Sequence, residues 1–285
     1  SYPHTLSTRV GNLTLQVPRF RDGAFSTELF ARYQRSEQAF VISLMEMVVN
    51  GISTRKVTKV TEELCGTEFS KSTVSELCKQ LDPVITAWSS RPLHDNEYPF
   101  LIVDALYVKV REDGRVRSRG VMIATGINQD GYRELLGLRV DDTESEASWS
   151  AFFAELKQRG LRGVDLVTSD HHGGLVNAIR QHFQGVTWQR CQTHFMRNIL
   201  DAAPKALRDE VKAHVRAIFE AAEPATARSL LERTLGTFQD TASKAMKVLE
   251  EGFEDATAVL ALPAVCRKRT RTTNAVERLN AELRR

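Results

Sequence analysis

The sequence predicts an α/β protein. Its centre is a mixed sheet with helices on its faces, in the order β-β-β-α-β-α-β, preceded by a helical region and interrupted by an all-helical insertion. Three observations predict this. Residues 99–141 hold three runs rich in Val, Ile, Leu and Tyr, separated by the turn signals Asp113-Gly114 and NQDG. Residues 146–190 then alternate an amphipathic run, a short apolar run, a second amphipathic run and a second short apolar run. Residues 192–262 keep only helical spacing, through Leu200, Leu207, Val211, Val215, Ile218 and Phe219, with Pro204, Pro224 and Pro263 as punctuation.

Taken in order, residues 1–22 are extended, because LTLQVP alternates and Pro18 then blocks a helix. From about Ser26 to Asn50 the pattern is helical, with Phe30, Tyr33, Phe40, Leu44 and Val48 in phase and Gly51 as the stop. Two short helices follow, with Ser53 and Ser70 as N-caps and Gly66 between them. They resemble a helix-turn-helix that could touch DNA, although many helical hairpins share this pattern. PFLIVDALYVKV, RSRGVMIATGI and YRELLGLRV form a meander. The helix ESEASWSAFFAELKQRG presents Trp149, Phe152, Phe153 and Leu156, and VDLVTSD, GGLVNAIRQHF and VTWQRC complete the series. A last helix begins near Thr273. The organisation expected is an extended segment 1–22, a helical region 23–91, a sheet-centred core of 92–190 with 266–285, and a helical insertion 191–265.

Composition excludes several classes. With 285 residues and 42% hydrophobic content the chain can bury a sizeable core, which a disordered chain cannot. Four Cys with no CxxC pair exclude a disulfide scaffold and suit a reduced, intracellular setting. No apolar run approaches the ~18 residues that span a bilayer, and no signal peptide opens the chain. Ser1 at the start, and an end inside a helical pattern, suggest part of a longer protein. The net charge of +3 is unevenly spread: residues 266–285 carry seven basic and two acidic side chains, net +5, leaving −2 for the rest. Such concentration suits a polyanion-binding surface, or a solvated terminal helix.

Two carboxylates do not fit their surroundings. Asp104 shares a strand face with Ile102, Leu106 and Val108, where an unpaired charge would cost several kcal/mol. Asp170 ends an apolar strand, and ligands in open α/β sheets gather at strand C-termini. Singly, each has a structural explanation: a hydrogen-bonded buried Asp, and a cap. If their strands are neighbours, the two converge, and a hard cation such as Mg²⁺ would neutralise them. Two such ions clamp the attacking and leaving oxygens of a phosphoryl transfer. Glu277, with Asn274 three residues before it, is the candidate third carboxylate; Glu282 competes with it but falls on a different face, and a Glu among Arg also suits a surface ion pair.

Several stretches together resemble the Mutator-like group of bacterial insertion-sequence DDE transposases, over essentially the whole chain. They are LSTRVGNLTLQVPR, FSTELFARYQRSE, MVVNGISTRKV, VDALYVKVREDGRVRSRGV, SDHHGGL, WQRCQTHFMRNIL and RTTNAVERLN. The resemblance implies a ribonuclease H-like core, with Asp104, Asp170 and Glu277 as the triad holding two Mg²⁺ (or Mn²⁺). It implies metal-dependent phosphodiester hydrolysis at transposon ends, followed by 3′-OH strand transfer. It also implies double-stranded DNA partners, namely terminal inverted repeats and target DNA, a homodimer without membrane association, and a bacterial cytoplasmic, nucleoid-associated location. Cys191 and His194 match the family's C-x-x-H motif. Zinc is a poor explanation, since four ligands are needed and no partner pair has suitable spacing. His194 near the active site, contacting DNA or orienting a catalytic group, is the functional reading, and a packed Cys with a hydrogen-bonded His is the structural one. Trp188 suits a core aromatic better than a base-stacking one, and His171 or His172 could meet a phosphate. Arg267, Lys268, Arg269, Arg271 and Arg278 are the basic contact candidates. A hydrolysis-only nuclease of the same fold and a non-catalytic transposon-derived repressor are the alternatives.

Overall fold

The computed structural model describes residues 1–8, 11–18, 36–65, 71–112 and 114–283. The helical start near Ser26, with Phe30 and Tyr33, lies outside the described residues. So do Gly66, Ser70, Asp113, Arg284 and Arg285. The chain divides into two compact units, residues 1–88 and 89–284.

In the first unit, β1 (Tyr2–Thr8) and β2 (Gly11–Val17) pair as an antiparallel hairpin. Helices α1 (Gln38–Val49), α2 (Thr54–Cys65) and α3 (Lys71–Cys78) bury Phe40, Leu44, Val57 and Val74 together. Ser53 caps α2, its Oγ accepting from the Lys56 amide at 3.4 Å. The helical periodicity expected from Ser26 to Asn50 does not produce one continuous helix. Ser36 bridges to Ser7, and the extended Glu37 donates its N–H to the Ser7 carbonyl at 2.8 Å. Pairing with a strand satisfies those backbone groups and overrides the local pattern. Helix α4 (Asp82–Ser89) leads out of this unit.

The second unit carries the expected series: β3 (Phe100–Glu112), β4 (Arg115–Ile127), β5 (Arg133–Asp141), α5 (Glu146–Gln158), β6 (Leu166–Ser169), α6 (Gly173–His182) and β7 (Thr187–Arg190). They form one mixed five-stranded sheet, ordered β5-β4-β3-β6-β7. β3, β4 and β5 are antiparallel neighbours, whereas β6 and β7 run parallel to β3. Alternation along β3 decides what each face meets. Leu101 and Val103 pack with Trp149, Phe152 and Phe153 of α5 and Leu175 and Ile179 of α6. Ile102 and Leu106 face the other way, into a smaller core shared with Val276. Helix α5 begins at a reciprocal cap in which the Ser145 Oγ accepts from the Ser148 amide at 3.1 Å, and the Ser145 amide donates back to the Ser148 Oγ at 2.9 Å.

After β7 come α7 (Gln192–Ala202), α8 (Arg208–Phe219), α9 (Pro224–Phe238) and α10 (Ser243–Thr257). They close around a second apolar core that includes Phe195, Ile199, Val215, Ile218, Leu249 and Phe253. Gln189, buried on β7, ties this bundle to the sheet: its Nε2 donates to the Ala256 carbonyl at 2.8 Å and its Oε1 accepts from the Val259 amide at 2.6 Å. The basic stretch after Pro263 is itself the short helix α11 (Ala264–Thr270), with Pro263 at its start. Helix α12 (Asn274–Leu283) ends the described chain and packs on the Ile102 face of the sheet.

Candidate active site

Asp104 stands in the middle strand of the sheet, only 5% exposed. On the neighbouring parallel strand, Ile102 is paired with Thr168. Asp104 lies two residues further along β3, and Asp170 is the first residue after β6 ends at Ser169; the charge of Asp170 is felt at Asp104, so the two carboxylates lie near each other. The Asp104 face of the sheet is the one α12 covers, and α12 carries Glu277. The Asn280 Nδ2, one turn beyond Glu277, donates to the Asp104 Oδ2 at 2.7 Å. The Asn280 Oδ1 is buried without a partner.

Burial, then the charge of Asp170, push the Asp104 carboxyl up to about 7; Glu277 adds to this, while His194 opposes it. The Asp104 site is therefore crowded with negative charge inside a low-dielectric interior. Hard carboxylate oxygens in this state suit a divalent cation by donor chemistry. Among the described residues, however, no three His, Cys, Asp or Glu side chains lie close enough together to hold one ion.

The segment Cys191–His194 runs beside the start of α12 and contacts it residue by residue. The Gln192 amide donates to the Arg271 carbonyl at 3.0 Å, and the Thr273 amide donates to the Cys191 sulfur at 3.4 Å. The Thr193 Oγ1 donates to the Asn274 Oδ1 at 2.9 Å, and the His194 Nε2 lies 3.4 Å from the Glu277 Oε1. The adjoining Cys191 side chain, with Asp104 and Glu277, pushes His194 up to about 9 despite its partial burial. Burial raises the Cys191 thiol, but His194 and Thr273 outweigh it and bring the thiol below its ordinary value. Cys191 itself is fully buried. The two residues of the C-x-x-H run thus hold the N-terminal end of α12 and its carboxylate.

A sequence profile described as Transposase, Mutator family matches residues 1–285. The chain is 47% identical over 286 residues to the transposase for insertion sequence element IS256 in transposon Tn4001 of Staphylococcus aureus, covering 100% of this chain and 73% of that protein. It is 45% identical to the transposase for ISRM5 of Rhizobium meliloti, over 100% of this chain and 71% of that protein. It is 38% identical to the transposase for IS1081 of Mycobacterium tuberculosis, over 98% and 67%.

The chain belongs to the Mutator family of transposases.

Within this Mutator-family chain, the other predicted residues separate into two groups. Arg267 is committed internally: its Nε donates to the Leu262 carbonyl at 2.7 Å and its Nη1 to the Ala222 carbonyl at 2.6 Å. Arg271 is half-buried and offers its carbonyl to Gln192. Lys268, Arg269 and Arg278 are exposed. Trp188 packs against the main core and donates its Nε1–H to the Ser169 Oγ at 2.9 Å, while the His171 ring lies 5.8 Å from it. Arg284 lies outside the described residues, and the side chain of Glu282 is likewise undescribed. No described helix is long and apolar enough to cross a membrane.

Two residues escaped the sequence reading. Glu144 has a nearly buried side chain, receives the Trp149 Nε1–H at 3.1 Å and lies 3.5 Å from the His172 Nδ1. Burial raises its carboxyl; Trp149 and His172 oppose this, while Asp170 adds to it. It lies in a polar turn, DDTESE, and nothing in that pattern singles it out. Arg190 is a buried cation stacked 4.3 Å over Phe195, with Asp255 and Asp170 opposing the effect of its burial. Its signal was readable: a charge closing the short strand VTWQR.

Proposed function

We propose that this chain is the catalytic part of a DDE-type DNA transposase with a ribonuclease H-like core. It would hydrolyse a phosphodiester at each transposon end and join the freed 3′-OH to target DNA. The observation that carries the reading is the pairing of β3 with β6, which brings Asp104 beside the strand that Asp170 follows, on the face covered by the helix that bears Glu277. The strand order β5-β4-β3-β6-β7, with β4 antiparallel to its neighbours, is compatible with the ribonuclease H-like assignment.

Asp104, Asp170 and Glu277 would hold two Mg²⁺ or Mn²⁺ ions. When bound, such ions neutralise the phosphate oxygens and activate the attacking oxygen. The chain's own residues prepare the site. Asn280 fixes the Asp104 carboxyl, and His194 holds Glu277 from the side of α7. Some closing of the carboxylates is required, since no three ligands already surround one point. In hydrolysis the water oxygen forms the new bond to phosphorus, the P–O3′ bond breaks, and the released 3′ oxygen takes up a proton. In transfer that 3′-OH is the attacking group and the 3′ oxygen of the target strand leaves. The partners are terminal inverted repeats and target duplex, and holding two ends together calls for a homodimer.

The test is cleavage of terminal-repeat DNA with Mg²⁺ by wild type, Asp104→Asn, Asp170→Asn and Glu277→Gln. Each variant should lose cleavage while still binding DNA. Full activity in any of them removes that residue from the site. Joined products separate a transposase from a hydrolysis-only nuclease, and binding without any cleavage by wild type identifies a repressor.

A further inference from the structure

Arg133 stands at the start of β5. It pairs across the ladder with Ile127, and Ile127 pairs with Phe100. Leu135, two residues on and so on the same face, packs in the cluster containing Val276 and Leu279 of α12. Arg133 therefore projects on the face of the sheet that holds Asp104 and α12. Arg269 reaches the same place from α11, its Nη1 donating to the Gly131 carbonyl at 3.3 Å. Arg278, exposed on α12, lies near enough for its charge to act on Arg133. Partial desolvation, then the fields of Arg269 and Arg278, hold Arg133 below the ordinary arginine value. No Asp or Glu forms an ion pair within 4.0 Å of any of the three among the described residues. Elsewhere on this unit arginines do find such partners: Arg119 pairs with Glu112 and Asp142, Arg139 with Asp141 and Glu155, and Arg228 with Glu254.

Three guanidinium groups from three separate elements, brought together without a counter-charge, repel one another. Such an arrangement is favourable only with an anion present, and the planar fork of arginine suits phosphate oxygens. We propose that Arg133, Arg269 and Arg278 form a single binding site for the phosphodiester backbone of duplex DNA, set to one side of the carboxylate centre. The ladder gives its offset. Arg133 is two strands from Asp104, about 10 Å, and four residues down the strand, about 14 Å, so the backbones are roughly 17 Å apart. At about 3.4 Å per base pair that is on the order of five base pairs. The site would therefore grip the flanking duplex and leave the scissile phosphate to the carboxylates.

This inference rests on the transposase reading, because it assumes a DNA partner. The test measures binding of a short terminal-repeat duplex by fluorescence anisotropy in EDTA, so that no turnover is involved. Salt is varied from 50 to 200 mM for wild type, Arg133→Gln and Arg133→Lys. Loss of one phosphate contact should reduce the slope of log Kobs against log salt by about 0.9. Arg133→Gln should then lose about 3.5-fold less affinity than wild type across that range. Arg133→Lys should restore the slope, and the melting temperature of free Arg133→Gln should not fall, since a repulsive charge has gone. An unchanged slope in Arg133→Gln overturns the proposal. So does a lower slope that comes with a lower melting temperature and is not restored by Lys, which marks a structural role. If wild type binds no duplex at all, the transposase reading itself fails.

Discussion

Replacing Asp104 with Asn should stabilise the metal-free protein while abolishing cleavage. Inside the sheet the carboxyl is held at about 7, against 3.8 for a free side chain. Between those two values the folded protein keeps a proton that the unfolded chain has released, so stability falls as pH rises from about 4 to about 7. At about 1.36 kcal/mol per pH unit the full penalty is on the order of 4 kcal/mol, reached above pH 7. An Asn carries no charge and avoids it. The substitution also suits the surroundings: its oxygen can still accept from the Asn280 Nδ2, and its new N–H₂ can donate to the Asn280 Oδ1, which has no partner. Thermal melts in EDTA from pH 4 to pH 8 are the assay. Wild type and variant should melt together near pH 4 and diverge above it. By pH 8 the variant should lead by an amount on the order of 10 °C, given about 2–4 °C per kcal/mol for a unit of this size. A variant no more stable than wild type at pH 8, or a difference that does not change with pH, would refute the reasoning that Asp104 is a strained, crowded carboxylate.

Other substitutions probe the surrounding structure. His194, raised to about 9 from 6.5, contributes stability that is complete below pH 6.5 and disappears as pH rises through about 9. His194→Gln should therefore cost about 2–3 kcal/mol at pH 6 and little at pH 9.5, as measured by urea denaturation. Gly252 on α10 has no room for a side chain, because a Cβ there would lie 2.6 Å from both the Arg190 Nη1 and the Phe195 ring. Gly252→Ala should destabilise by about 1–3 kcal/mol, opposite to the usual gain for Gly→Ala within a helix. Arg267→Ala removes two bonds to the carbonyls of Leu262 and Ala222. It should lower stability by about 1–3 kcal/mol and leave the salt dependence of DNA binding unchanged in anisotropy titrations.

Much of the core was legible because its periodicities are strong. The alternation of LIVDALYVKV identified Asp104 as a misfit on one face, and the two turn signals set the meander. A continuous helix through Ser36 and Glu37 does not form, because both are recruited by a strand distant in sequence. Local spacing cannot register such pairing. Arg267 illustrates the same gap: as one of seven basic residues in a run it reads as a polyanion contact, yet its guanidinium is directed at carbonyls 5 and 45 residues away. Glu144 was invisible for the converse reason, being an acidic residue in an acidic turn whose burial comes from α5 and His172.

By itself, the sequence determined which residues are costly to bury and which strands and helices carry them. It also marked the Cys191–His194 run and the charge concentrated after Cys266. Those follow from side-chain chemistry and from periods of two and 3.6, which are local properties. Only the tertiary structure decided that Asp104 lies on the strand beside the one Asp170 follows, that Asn280 and His194 steady two of the three carboxylates, and that Arg133 shares the sheet face that α12 covers. Each of these depends on register and on helix placement across gaps of tens to well over a hundred residues. Packing and backbone pairing set such distances, and no local pattern encodes them.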